Sequence, residues 1–230
     1  MTDWQALHLA LVQALEELAP TLEAHADAPV PATPEWDVHD VLAHLAGGAA
    51  DHVTGRLDGA PGPGWTHRHV EERREDGVRA LLAELAAHGV SVREQLGDSP
   101  RPASVWDLAV HTADLHEALG LGRPASGLWA AVTHAVAPAL LSGVPRRFQV
   151  GAARYGAGAP GDDELLELDE YELFRGAFSR RSRSQMAAWC GGALDAATLD
   201  GLCVFGPRED DQPVPTAPPE ALSSQVTAGS

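Results

Sequence analysis

Lysine is absent from this chain of 230 residues; all 16 basic residues are arginine. That excludes a lysine Schiff base, a P-loop lysine and a lysine general base. Cysteine is scarce. Cys190 and Cys203 are too few and too far apart for a C-x-x-C redox or zinc motif, so they read as free thiols. No basic start leads into an apolar core and no long apolar run occurs, so neither a signal peptide nor a membrane span is expected. A cytoplasmic protein is the expectation. Positive charge is also short, with 33 acidic residues against 16 basic ones and a formal charge of -17. Such a surface repels nucleic acid and anionic membranes, which sets phosphate-backbone binding aside. No G-x-S-x-G elbow and no G-x-G-x-x-G turn between a strand and a helix is present, which disfavours a serine hydrolase and a dinucleotide site.

What remains is rich in Ala, Gly, Pro, Asp and Arg, the codon bias of a GC-rich bacterial genome. The length allows one large domain or one domain with a small appendage. Residues 3–25 predict an amphipathic helix through Leu7, Leu11, Leu15, Leu18 and Leu22. After a proline-rich connector, Asp37 and Asp40 are spaced as a capping box for a second helix, residues 38–57. A third helix is predicted over residues 66–95, with His67 and His69 solvated at its polar start. The stretch WDLAVHTADLHEALG, residues 106–120, predicts a fourth, ended by Gly120. Short loops between such helices predict an antiparallel four-helix bundle, residues 1–142. A fifth apolar helix over 128–141 carries Pro138. Residues 143–206 predict a small α+β region, β-prone at 146–155 and helical at 168–178 and 182–189. From 207 to 230, Pro, Ser, Thr, Asp and Glu predict a disordered tail.

The chemistry concentrates on the fourth helix. Asp107, His111 and Asp114 step by four and three, a polar line bordering the apolar side made by Val105, Leu108, Thr112 and Leu115. A carboxylate one turn before an imidazole is half of a metal site, and a bundle completes such sites from a facing helix. His44, at the edge of the second helix, is the residue placed to do so. Two imidazoles and one carboxylate suit zinc and leave a fourth position open, with Asp114 available to orient a ligand. A solvated polar edge with an Asp–His pair, or a metal-free acid–base pair, are the alternatives on spacing alone.

Three segments resemble one family. PEWDVHDVLAHLAGG (34–48), WDLAVHTADLHEALG (106–120) and YELFRGAFSRRSRSQMAAW (171–189) are similar, in order, to segments of the mycothiol-dependent maleylpyruvate isomerase family, whose bundle is DinB-like. The resemblance implies a divalent metal, usually zinc, on His44, Asp107 and His111. The family carboxylate is usually Glu, so Asp107 is one methylene shorter. It also implies mycothiol, whose thiolate adds to an electrophilic carbon of a small substrate. Collapse of the adduct after bond rotation gives isomerisation; its persistence gives S-transfer. Arg180, Arg181 and Arg183 are the candidates to meet a carboxylate of substrate or thiol. The competing reading is a non-catalytic metal- or ligand-binding bundle with a regulatory or interaction role, for which a closed shell including Asp40 or His52 would speak.

Overall fold

A computed structural model describes residues 2–97, 99, 102–156, 158 and 165–215. The chain is mainly helical, a bundle followed by a small α+β region. Four helices enclose the main core: α1 (Trp4–Glu17), α3 (Val38–Thr54), α5 (Val78–Leu96) and α6 (Ala103–Ala118). Helix α1 packs between α5 and α6, and α3 packs between the same two from the other side. Leu11, Leu15, Val41, Leu42, Leu81, Val92, Val105, Leu108 and Leu115 fill the space between them. No helix among the described residues is long and apolar enough to cross a membrane.

The ends of α3 follow from its sequence. Asp37 accepts from the Asp40 amide at 2.9 Å and Asp40 returns the bond at 3.3 Å, the expected capping box. Gly55, in the left-handed region at φ 75°, stops the helix three residues earlier than expected. Two helices expected to be continuous are broken. Residues 3–25 divide at Leu18 into α1 and α2 (Ala19–Ala24), because Pro20 has no N–H to continue the ladder. Residues 66–95 divide into α4 (Pro63–Glu72) and α5, with the polar run Arg73–Asp76 between them and Gly77 at the start of α5. The second break has a functional result: it lets α4 lie against α3.

Beyond a single turn at Ser126–Leu128, α7 (Ala130–Leu141) is a helix with Pro138 inside it. A three-stranded sheet follows, in the order β2-β1-β3. Strands β1 (Arg147–Val150) and β2 (Ala153–Tyr155) form an antiparallel hairpin with Phe148 opposite Tyr155. Strand β3 (Leu165–Leu168) joins β1 in parallel, Phe148 beside Leu166. The helix expected from 168 starts later, at α8 (Glu170–Ala177), and α9 spans Arg183–Trp189. Sequence reading missed β3 and a last short helix, α10 (Ala196–Gly201). Helix α8 belongs to both cores: Tyr171 and Phe174 enter the bundle, while Leu173 joins Phe148, Val150, Met186 and Leu199.

The expected disorder from residue 207 onward does not hold for 207–215. Arg208 donates to the Ala32 carbonyl at 2.9 Å, and buried Gln212 pairs through its backbone with the Gln185 side chain: its carbonyl accepts from Nε2 at 2.6 Å and its N–H donates to Oε1 at 3.1 Å. Composition missed these polar anchors, which supply the order that apolar residues usually do. Residues 216–230 lie outside the described residues.

Candidate metal centre

Two bundle helices and one side helix bring the ring nitrogens together. His44 lies mid-way along α3 and is buried; Asp107 and His111 lie one turn apart on α6. His44 Nε2 is 3.2 Å from Asp107 Oδ2, and His111 Nε2 is 3.5 Å from Asp107 Oδ1. One donor atom from each of the three falls within 4.8 Å of the others. Tetrahedral zinc with bonds of about 2.0–2.1 Å sets its donors about 3.3 Å apart, close to the two separations from Asp107, and the donor types suit such an ion. Among the described residues no fourth His, Cys, Asp or Glu joins the group. Neither Asp40 nor His52 closes it.

The imidazoles are walled in while the carboxylate faces outward. The Trp36 ring lies tilted to both, its centroid 5.0 Å from that of His44 and 5.9 Å from that of His111, and the Trp65 ring meets His44 edge-on at 5.7 Å. The Asp107 side chain is 42% exposed, which makes it the open side of the centre. What burial it has pushes its carboxyl up, but the neighbouring imidazoles and Arg180 outweigh this and hold its pKa down at about 2. It is therefore a carboxylate at any working pH. Trp36 is also a wall of an adjoining cleft of about 510 Å³, lined among others by Asp27, Glu35, Asp37, Asp40 and Arg74.

Behind one imidazole stands a carboxylate, and behind the other a third histidine. His111 Nδ1 is 3.0 Å from Asp114 Oδ2, near in distance but oblique for a hydrogen bond. Asp114 is fully buried between Arg175 and Arg180; burial raises its pKa, and the two guanidinium charges override this and hold it well below the usual carboxylate range. Behind His44 stands a residue that sequence reading placed in solvent. His69, on α4, is wholly buried, with its Nδ1 3.2 Å from His44 Nδ1 and its Nε2 2.9 Å from Asp51 Oδ2. Burial lowers the His69 pKa, and the Asp51 bond offsets only part of it. Asp51 is also bound by Arg68. The signal in the sequence was weak: α4 reads as the polar first turn of a longer helix unless the break at Arg73–Asp76 is recognised.

The three arginines expected to meet a ligand are each engaged within the protein. Arg180 donates to Asp114 at 3.1 Å and to the Phe178 carbonyl at 2.8 Å. Arg181 is buried between Glu117 and Glu172, with bonds of 2.8 and 2.5 Å. Arg183 pairs with Asp200 at 2.8 Å and with Glu209. Of the three, Arg180 adjoins the centre, through Asp114. A second histidine–carboxylate group, Asp37, His39 and Asp40, is committed to other work: the two aspartates cap α3 and His39 bonds the Asp76 carbonyl at 2.8 Å.

Compared with known families, residues 6–130, more than half of the chain, match the model described as mycothiol maleylpyruvate isomerase N-terminal domain. No curated protein and no solved structure matched in the same comparisons.

Proposed function

Because the chain belongs to the mycothiol maleylpyruvate isomerase N-terminal domain family, we propose that it is a divalent-metal enzyme, zinc being the first candidate, that works with mycothiol or a similar small thiol. It acts on a small electrophilic substrate in the cytoplasm, by isomerisation or S-transfer. The observation that carries this reading is the donor set of His44, Asp107 and His111, with one side left open and no fourth protein donor among the described residues. Three protein ligands and a vacancy for an exogenous one is the catalytic arrangement, whereas structural zinc is closed by four. A bound zinc supplies positive charge that keeps a thiol sulfur deprotonated at neutral pH.

The chain's own residues do the rest. His44 and His111 offer nitrogen lone pairs from opposite helices, and Asp107 adds one negative charge. Trp36 and Trp65 keep bulk water off the imidazoles. Arg175 and Arg180 keep Asp114 ionised behind His111. Neither cysteine takes part in this reading: both lie with the second core, and burial raises the Cys203 thiol above its usual value.

Metal analysis tests the first half: about one zinc per native chain is expected, lost in His44→Ala and in His111→Ala. Thermal or chemical melts test the second. Mycothiol at a hundredfold excess over its dissociation constant stabilises the zinc form by about 2.7 kcal/mol by mass action. A native zinc protein that no small thiol stabilises would leave a metal-binding bundle as the better account.

A further inference from the structure

We propose that His69 and Asp51 are positioning residues that fix the tautomer of His44, so that its Nε2 presents a lone pair toward Asp107 and His111. The inference rests on the metal reading above and concerns residues that reading does not use.

The argument starts on one face of α3. His44, Gly47 and Asp51 are spaced three and four apart, so they stack along the helix as a ring, a gap and a carboxylate. His69 of α4 fills the gap. A Cβ at Gly47 would lie 2.5 Å from His69 Cγ, so the glycine is what lets the ring seat between the other two. Once there, it bonds both: Nδ1 to His44 at 3.2 Å and Nε2 to Asp51 at 2.9 Å.

The direction of each bond follows from counting protons. An ionised carboxylate only accepts, and Arg68 on the same Asp51 keeps it ionised, so His69 Nε2 carries the hydrogen. With its one hydrogen on Nε2, the His69 imidazole has a bare Nδ1, which is the acceptor that the 3.2 Å contact with His44 Nδ1 needs. His44 must then carry its hydrogen on Nδ1, which leaves Nε2 free to bind a cation. Two rings, two protons and two hydrogen bonds close the account. The other tautomer of His44 turns an N–H toward the metal position. It then sets two bare Nδ1 atoms 3.2 Å apart or sets a bare His69 Nε2 against the Asp51 carboxylate. A neighbour that fixes the tautomer of a ligating histidine is worth about 10–100-fold in metal affinity.

The test has two readings on the zinc-loaded protein. Competitive chelation of His69→Leu, which removes both ring nitrogens, is expected to show zinc affinity lower by about 10–100-fold. His69→Gln, which restores an acceptor and a donor, is expected to recover most of that loss. Nitrogen-15 NMR of the histidines in the native zinc protein is expected to place the His44 proton on Nδ1 and the His69 proton on Nε2. This reading decides the matter even where the leucine variant does not fold. A His44 proton on Nε2, or a folded His69→Leu that holds zinc as tightly as the native chain, overturns the relay and leaves the metal reading standing. A native chain with no stoichiometric zinc overturns both.

Discussion

Behind His44 lies His69, itself bonded to Asp51, and behind His111 lies the Asp114 carboxylate at 3.0 Å. Between His44 and His111, Asp107 is a short arm. The separations of 3.2 and 3.5 Å to the two imidazoles show that α3 and α6 lie close enough for this side chain to reach both. A different buried histidine gives the clearest pH effect. His8 is almost wholly buried on α1, and Arg93 Nη1 is directed at its Nδ1 from 3.5 Å. Burial first, and then the Arg93 charge, lower its pKa to about 4. The folded form therefore stays neutral while the unfolded chain protonates near pH 6.5. Stability from this group is complete above about pH 6.5, falls as pH drops, and levels off below about 4, a total of about 3 kcal/mol. Denaturant melts at pH 7 and pH 4.5 should show a smaller acid loss in His8→Phe than in the native chain. Equal losses would show that His8 does not carry the effect.

At the scale of elements, α3 does most of the positioning. It supplies one donor, the gap for His69 and the carboxylate that His69 meets. Gly47→Ala therefore forces overlap with a ring that has nowhere to go. A cost of about 1–3 kcal/mol is expected from such overpacking, together with weaker zinc binding. Equilibrium unfolding and chelation check both, and a variant unchanged in both would show that α4 yields without consequence. Much of this helix was legible beforehand. Asp37 and Asp40 announced its start, and the i, i+3, i+4 apolar stripe put His44 on the correct edge. On α6 the spacing of Asp107, His111 and Asp114 likewise anticipated the polar line that now faces His44. The seat of His69 was not legible. The third helix was expected to run unbroken across Arg73–Asp76, and a polar run inside a helix looks no different from a polar run between two helices. Burial of His69 depends on which neighbour α4 folds against, and no local pattern carries that.

The whole molecule is joined by charge as well as by apolar packing. Arg175 of α8 is fully buried and bonds Asp114 and Glu117 of α6, while Arg181 bonds Glu117 from the far side and Tyr171 Oη donates to it at 3.0 Å. The C-terminal region thus reaches the residue behind His111. The RRSR segment was visible in sequence, but its carboxylate partners were not: Asp114 and Glu117 on α6, Glu172 on α8, and Asp200 and Glu209 further along the chain. Strand β3 was missed for a related reason: four residues become a strand only when β1 lies beside them. Arg175→Met leaves two buried carboxylates short of a partner, and about 3–5 kcal/mol of stability should be lost, read from the unfolding midpoint. A midpoint within error of the native one would show that apolar contacts alone join the two regions. The central claim concerns what completes the centre, and X-ray absorption at the zinc edge reads that most directly. The zinc protein alone should show only nitrogen and oxygen neighbours near 2.0–2.1 Å, and mycothiol should add one sulfur near 2.3 Å. That sulfur should be missing from the His111→Ala protein. A shell of four light atoms that mycothiol leaves unchanged would contradict the account.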